Sequence, residues 1–407
     1  MSELAILGGS PVKKEIGAYA KWPVGGDLEK EALLRVYRSG QWGGGPENDA
    51  FEAAWASYCQ CAYALTAANG TISLEQILRA LEIGRGDEVI LPSYTFVATA
   101  SAIVMTGAAP VFADVDPSTY CLSAGDAESR ITPKTRAIIA VHVGGRPCDM
   151  DALLALGEKY GLPVIEDAAQ AHGSEWKGKR AGGMGLCGAF SFQASKNLSC
   201  GEGGAVTTND RAMYEKIWNL GHNRRPGGMA YDNSVLGVNA RMTGWQAGVL
   251  NANMRRIDSD IATRTANAGY LDTQFRRFPF LEPMDQEGVT RNSCHLYMFR
   301  YKKEGLANIP RSVFIKALQA ENVSIPAEGY NQPIYDMALL YTEDFRKATG
   351  VTFTNPKNSL PNNEKAAHEE GSWFYQSTLL GGKKDMDCIL EAMAKIEKEK
   401  DSLSRLA

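Results

Sequence analysis

Up to about residue 210, short apolar segments of the chain alternate with helical patterns. The segments are rich in Val, Ile or Phe and mostly lack polar alternation, which is typical of strands buried on both faces. We predict strands at residues 88–91, 110–115, 136–141, 163–167, 189–192 and 205–208. This alternation predicts an α/β fold, in which a three-layer domain is built on a mainly parallel sheet.

The pattern changes after Gly204. Residues 221–240 have the Gly and Pro content of a loop, and a long helical stretch follows at residues 244–270. Beyond it we predict a strand at residues 296–301, helices at 312–321 and 386–400, and a loop-rich stretch at 324–362. These elements predict a smaller C-terminal α+β domain. We therefore divide the chain into a large domain, residues 1–260, and a small domain, residues 261–407.

Composition limits the classes of protein to consider. The 407 residues are 44% hydrophobic and 22% charged, and 43 basic against 47 acidic side chains give a net charge of −4. Such a chain buries a large core and offers no basic surface to nucleic acid. It has no apolar stretch long enough to span a membrane and no basic leader, and its eight Cys are scattered. We expect a cytoplasmic enzyme with reduced thiols and no metal site.

The first segment with chemical meaning is residues 68–73, just before an amphipathic helix. Backbone N–H groups at the start of a helix, together with Gly70 and the Thr71 hydroxyl, form a site for an anion such as phosphate. The same spacing is equally compatible with plain helix capping by Thr71 or Ser73.

The second segment is the apolar strand at residues 163–167, which runs into the carboxylates of Glu166 and Asp167. The carboxyl end of a parallel strand is where open α/β sheets bind ligands. Asp167 there would stay ionised beside a cationic ring nitrogen, because opposite charge lowers a carboxyl pKa. The alternative is that Asp167 caps the following turn. Glu166 points to the other face, and we expect it to be structural.

The third segment places a single lysine, Lys196, after a buried strand and before the glycine-rich turn at residues 201–204. A lysine held near a phosphate and ring site has a depressed pKa and forms a Schiff base readily. The alternative is an ordinary solvated lysine.

Other motifs favour structural roles. Residues 183–188 spell GxGxxG, but a strand follows them where a dinucleotide site needs a helix, so we expect a tight loop. Asp114 and Asp116 end a strand at a turn. His142 and His172 could act as acid or base. We expect structural roles for them, because Lys196 is the candidate for the acid–base chemistry.

Six motifs in order resemble the DegT/StrS family, the sugar aminotransferases among the fold-type I pyridoxal phosphate (PLP) enzymes. The resemblance is strong over about residues 5–260 and looser beyond. The motifs lie at residues 69–71, 92–99, 114–117, 166–170, 191–197 and 201–204.

The resemblance implies a role for each residue of the cofactor site. Lys196 would carry PLP as a Schiff base and shuttle a proton between the substrate Cα and C4′ of the cofactor. Asp167 would keep the pyridinium nitrogen protonated, so that the ring remains an electron sink. Phe96 would stack on the ring face, and Gln170 would reach the ring 3-hydroxyl.

The resemblance also implies a phosphate site made of Gly70, Thr71 and Ser191. Asn239 resembles the residue that reaches the phosphate of the neighbouring subunit. Each site would then need two chains, which implies a homodimer with shared active sites. Residues 43–45 and 330–333 would line the substrate pocket.

The implied reaction moves an amino group from glutamate or glutamine, through pyridoxamine phosphate, to a keto-sugar linked to a nucleotide or to a keto-cyclitol. Such enzymes serve secondary-metabolite or surface-polysaccharide biosynthesis. Residues 4–11 and 142–151 resemble cyclitol-type members, whereas Arg224, Arg225 and Arg241 are candidates for binding a nucleotide. The alternatives are an aminobenzoate-type synthase, a non-catalytic PLP-binding regulator, and a sugar dehydratase, in which His would replace Lys196.

Overall fold

A computed structural model describes residues 3–15, 21–222, 235–324 and 326–406. Within these residues, none of the helices is both long and apolar enough to cross a membrane. The strands are β1 (Tyr63–Ala67), β2 (Glu88–Pro92), β3 (Ala109–Ala113), β4 (Thr135–Val141), β5 (Val164–Asp167), β6 (Glu175–Trp176), β7 (Lys179–Arg180), β8 (Cys187–Ser191), β9 (Gly204–Thr208), β10 (Leu281–Pro283), β11 (Val289–Arg291), β12 (Leu296–Tyr301), β13 (Pro326–Ala327) and β14 (Gly371–Tyr375).

The helices alternate with the first strands and dominate the rest of the chain. They are α1 (Asp27–Ser39), α2 (Pro46–Tyr58), α3 (Gly70–Ala80), α4 (Ala98–Thr106), α5 (Ala124–Ser129), α6 (Met150–Tyr160), α7 (Arg211–His222), α8 (Gly244–Asn253), α9 (Ile257–Phe275), α10 (Arg311–Ala320), α11 (Glu343–Thr349), α12 (Pro361–Lys365), α13 (Lys383–Lys398) and α14 (Lys400–Leu403).

Seven strands form the central sheet, in the order β1-β9-β8-β5-β4-β2-β3. β9 is antiparallel to both of its neighbours, and the other six strands run parallel to one another. The carboxyl ends of β1, β8, β5, β4 and β2 therefore lie along one edge of the sheet. The predicted α/β fold with a mainly parallel sheet is confirmed.

Both faces of this sheet are buried, which explains the absence of polar alternation. On β8, Ala189 belongs to the core under α3, α4 and α6, whereas the next residue, Phe190, belongs to the core under α2 and α8. Leu65 and Ala64 of β1 divide between the two cores in the same way. A helical layer on each side of the sheet gives the three layers.

A second, antiparallel sheet has the order β10-β12-β14-β13 and its own core, which it shares with α9, α10 and α13. Leu4 packs into that core. The buried Glu321 carboxylate accepts hydrogen bonds from Ala5 N (2.9 Å) and Val12 N (3.0 Å) and pairs with Lys395 Nζ at 2.8 Å. The start of the chain is thus attached to the C-terminal α+β part. The domain boundary at residue 260 stays a prediction, and it falls inside α9.

The structure differs from the sequence predictions at β1 and at the long helical stretch. The strand β1 was not predicted, because Tyr63–Ala67 has little of the β-branched content of the other strands. The long helical stretch predicted at residues 244–270 consists of two helices, because α8 and α9 are separated at residues 254–256. Leu250 and Ile257 lie on either side of the break and bury into one core, so the apolar pattern continues where the helix does not.

Candidate active site

A cavity of about 700 Å³ opens at the carboxyl edge of the large sheet. Seven of the eight residues predicted for the site line it: Gly70, Thr71, Phe96, Asp167, Gln170, Ser191 and Lys196. The eighth, Asn239, is exposed elsewhere, and its side-chain oxygen accepts a hydrogen bond from Arg241 N at 3.4 Å. The fold therefore brings together residues that lie up to 126 positions apart in the sequence.

One wall of the cavity is the start of α3, which faces the end of β8. Asn69 caps the helix, because its Oδ1 accepts from Ile72 N at 3.0 Å; the alternative that Thr71 or Ser73 provides the cap is wrong. Among the described residues, the backbone N–H groups of Gly70 and Thr71 have no hydrogen-bond partner. A Cβ atom on Gly70 would lie 2.8 Å from the Cβ of Ser191, so only glycine fits there. Free N–H groups beside two hydroxyls make an anion site.

Asp167, at the end of β5, lies in the floor of the cavity. Its Oδ2 accepts a hydrogen bond from Thr99 Oγ1 at 2.7 Å, and its Oδ1 accepts one from Ala169 N at 3.2 Å. Burial raises the pKa of Asp167, while these hydrogen bonds and the charge of Lys196 act in the opposite direction. Asp167 thus caps the following turn, as the alternative expected. It is also a buried carboxylate that a neighbouring cation would stabilise.

Lys196 lies in the turn that follows β8, and its side chain is partly buried in the lining of the cavity. Burial lowers its pKa from 10.5 to about 8, and the negative charge of Asp167 partly opposes this fall. Its Nζ has no hydrogen-bond or ion-pair partner among the described residues. This amine is thus partly shielded from solvent, unlike an ordinary solvated lysine, and its lowered pKa favours the nucleophilic neutral form.

Gln170 and Phe96 complete the predicted set. The Oε1 of Gln170 accepts from Gly144 N at 2.6 Å, and its Nε2 donates to the Tyr330 hydroxyl at 2.9 Å. This fixes the orientation of the amide and leaves its second N–H hydrogen for another partner. Phe96 is 57% exposed, an unusual degree for a large apolar side chain, and its ring borders the cavity.

The motifs expected to be structural are structural. Glu166 accepts hydrogen bonds from Gly182 N (2.7 Å), Met184 N (2.7 Å) and Gly185 N (2.6 Å), so the glycine-rich loop binds a carboxylate of its own chain. His142 Nε2 lies 2.9 Å from the same carboxylate. Burial lowers the pKa of His172 to about 3. None of the three side chains lines the cavity: His142 is paired with Glu166, and His172 is neutral near pH 7.

The aspartates with a metal-like spacing also serve the fold. Asp114 accepts from the backbone N–H groups of Asn362 and Asn363, and Asp116 accepts from Ser118 N and Thr119 N. The described residues contain no group of three or more His, Cys, Asp or Glu side chains able to hold a metal ion.

Several residues that line the cavity were not predicted from the sequence. His295 immediately precedes β12, and Trp373 and Tyr375 lie in β14, so all three come from the region of the second sheet. Nothing local marks them, because only the packing of the two sheets places them near Lys196. Thr99 had a signal, since it lies one helical turn after Phe96 in the predicted motif.

The predicted pocket residues have mixed outcomes. Tyr330 lines the cavity, whereas residues 43–45 and Arg241 do not. Arg224 and Arg225 lie outside the described residues.

A model of the DegT/DnrJ/EryC1/StrS aminotransferase family matches residues 24–370. The chain belongs to this aminotransferase family. Two of its relatives are L-glutamine:2-deoxy-scyllo-inosose aminotransferase of Streptomyces lividus and L-glutamine:scyllo-inosose aminotransferase of Streptomyces griseus. Each is 34% identical to this chain, and each alignment covers 97% of both sequences.

Solved structures of the family have the same fold. 3-Amino-5-hydroxybenzoic acid synthase is 31% identical, with a TM-score of 0.83 over 95% of this chain and 98% of its own. Spr1654 of Streptococcus pneumoniae, solved in its PMP (pyridoxamine phosphate) form, is 26% identical, with a TM-score of 0.83 over 95% and 99%. The aminotransferase family thus accounts for nearly the whole chain, including the second sheet.

Proposed function

We propose that this aminotransferase uses PLP to transfer the amino group of L-glutamine to a keto-cyclitol. The observation that carries the proposal is the lysine of lowered pKa beside a buried carboxylate and an anion site, all in one cavity. The glutamine donor and the inosose substrates in the names of two relatives support the choice of substrates.

The residues present fit PLP. The free N–H groups of Gly70 and Thr71, with the Ser191 hydroxyl, suit the phosphate. Asp167 suits the ring nitrogen, because a pyridinium cation would offset the cost of burying its carboxylate. Lys196 provides an unpartnered amine for covalent attachment. Phe96 and Gln170 are placed to contact the ring face and the 3-hydroxyl, and the PMP form of Spr1654 supports this assignment.

When bound, PLP supplies an electron sink for the negative charge that develops at the reacting carbon. Lys196 would act as a neutral base at Nζ and move the proton at that carbon. Its lowered pKa suits this task, because a base works best when its pKa is near the working pH. Asp167 would hold the proton on the ring nitrogen by accepting a hydrogen bond from it.

The described part of the cavity lining has little positive charge. Lys196 is the sole lysine or arginine among the described residues that line the cavity. A nucleotide-linked sugar carries a diphosphate, which calls for additional cations. A keto-cyclitol needs polar groups and no such cations, so the lining agrees with the substrates of the inosose relatives.

The reaction is tested with the purified PLP-loaded enzyme, L-glutamine and 2-deoxy-scyllo-inosose, with detection of the amino-cyclitol by mass spectrometry. We expect product with the wild type and none with Lys196→Ala. Thermal shifts with UDP, dTDP and GDP against inositols examine the class of substrate. Stabilisation by a nucleotide alone would contradict the cyclitol assignment.

We also propose that the enzyme is a homodimer with shared sites. Asn239 is exposed beside Val238 (45% exposed) and Leu236 (88% exposed), apolar side chains that a partner subunit would cover. Mixing Lys196→Ala with Asn239→Asp chains tests the sharing, because a mixed dimer regains one intact site. If activity stays absent after the subunits exchange, Asn239 does not serve the neighbouring site.

A further inference from the structure

His295 is the one imidazole among the described residues that line the cavity, and none of the contacts proposed for PLP uses its ring. It precedes β12 and is 5% exposed. Its Nδ1 lies 3.3 Å from Oδ1 of Asn197, the residue that follows Lys196. The contacts of Asn197 determine which hydrogen-bonding groups this ring presents to the cavity.

The orientation of the Asn197 amide is fixed by the backbone. Its Nδ2 donates to the Ser293 carbonyl at 2.7 Å, which requires the nitrogen on that side because a carbonyl oxygen accepts only. Oδ1 therefore faces His295 and can only accept. It follows that Nδ1 of His295 carries the hydrogen, and that Nε2 carries a lone pair in the neutral ring.

The ring is neutral at physiological pH. Burial, and next the positive charge of Lys196, hold the pKa of His295 well below its usual value. Within the described residues, Nε2 has no hydrogen-bond partner, and it is not sealed off from solvent. His295 thus presents a hydrogen-bond acceptor of fixed polarity to the cavity.

Tyr330 presents a hydrogen-bond donor to the cavity, and a neighbouring amide, that of Gln170, again fixes which group it presents. Gln170 accepts from Gly144 N through Oε1, so its Nε2 must donate to the Tyr330 hydroxyl oxygen. The phenolic hydrogen of Tyr330 is left free to donate. The ring of Tyr330 packs edge-on against Trp373, with 5.0 Å between ring centroids, and both side chains line the cavity.

We propose that His295 and Tyr330 bind the keto substrate: Nε2 of His295 accepts a hydrogen bond from one of its hydroxyls, and Tyr330 donates to one of its oxygens. The α-carboxylate of glutamine does not suit His295, because it has no hydrogen to donate to Nε2 and the lone pair repels it. A polyhydroxylated ring suits it, since each hydroxyl both donates and accepts, and its C–H faces pack against Trp373. The inference rests on the proposed function and adds the residues that choose its second substrate.

The test separates the two half-reactions of the PLP-loaded enzyme. Glutamine is added alone, and loss of the visible cofactor band reports the first half-reaction. 2-Deoxy-scyllo-inosose is then added to the aminated enzyme, and return of the band reports the second. His295→Asn keeps an amide near Nδ1 but removes the group at Nε2, whereas His295→Gln can return an amide oxygen to the Nε2 position.

We expect His295→Asn and Tyr330→Phe to lower kcat/KM for the inosose roughly 10- to 100-fold, the effect of one lost hydrogen bond to a buried polar group. The glutamine half-reaction should change less than about 3-fold, and His295→Gln should recover most of the loss. If both half-reactions fall equally, or neither falls, the inference is overturned. If His295→Asn fails to load PLP, Tyr330→Phe decides the outcome by the same criteria. A wild type whose band does not respond to glutamine contradicts the proposed function, and this inference with it.

Discussion

The lowered pKa of Lys196 has a kinetic consequence that can be measured without substrates. A fall from 10.5 to about 8 raises the neutral fraction of the amine at pH 7 by about 300-fold, because the fraction changes tenfold for each pH step below the pKa. Covalent capture of PLP requires the neutral amine. The capture rate of the apoprotein should therefore rise with pH and level off above about pH 8.

The assay follows the visible band after rapid mixing of apoprotein with PLP, from about pH 6 to pH 10. A free lysine analogue in the same buffers corrects for the ionisations of PLP itself. The informative variant is Asp167→Asn. Its loss of negative charge removes the interaction that raises the Lys196 pKa, so the midpoint should move to lower pH.

Glu202→Gln is the matched control, since it neutralises another carboxyl group in the lining that does not affect the Lys196 pKa. Its midpoint should equal that of the wild type. A wild-type midpoint near 10.5 would refute the argument that burial lowers this pKa, and a rise in midpoint with Asp167→Asn would refute the opposing effect of Asp167.

Three further predictions concern stability and cofactor affinity. Glu321→Ala leaves the buried Lys395 ammonium unpaired and should lower the free energy of unfolding by about 3–5 kcal/mol in urea titrations; a loss below about 1 kcal/mol would contradict a buried pair. Thr99→Val removes a hydrogen bond to the Asp167 carboxylate and should raise the PLP dissociation constant roughly 10- to 100-fold by equilibrium dialysis; an unchanged constant would contradict it. His172 has a folded pKa of about 3 against 6.5 when unfolded, so its contribution to stability is present above 6.5 and lost as pH falls towards 3; in His172→Phe, the unfolding midpoint should depend less on pH over that range.

The sequence was sufficient to predict six of the seven strands of the large sheet and several residues that line the cavity, for a shared physical reason. Strands buried on both faces need continuous apolar runs, and ligands of parallel sheets meet at the carboxyl ends of those strands. Asp167 and Ser191 lie at such ends, and Lys196 lies in the turn just after one. The sequence therefore indicated where these residues lie relative to the strands, although it did not give the distances between them.

What could not be predicted depends on contacts distant in sequence. His295 and Trp373 reach the cavity through the packing of the second sheet, which no local pattern encodes. The cap at Asn69 was missed because Thr71 and Ser73 are equally good capping residue types. The break between α8 and α9 was missed because the apolar periodicity continues across it.

The central claim is that Lys196 binds PLP covalently and that glutamine releases it. The most direct measurement is the visible spectrum of the purified enzyme before and after L-glutamine, combined with borohydride reduction and peptide mass mapping. We predict a visible band that bleaches with glutamine, a reduced pyridoxyl group on Lys196 only when glutamine is absent, and no band in Lys196→Ala. A modification on another lysine, or a band in Lys196→Ala that behaves as in the wild type, would contradict the claim.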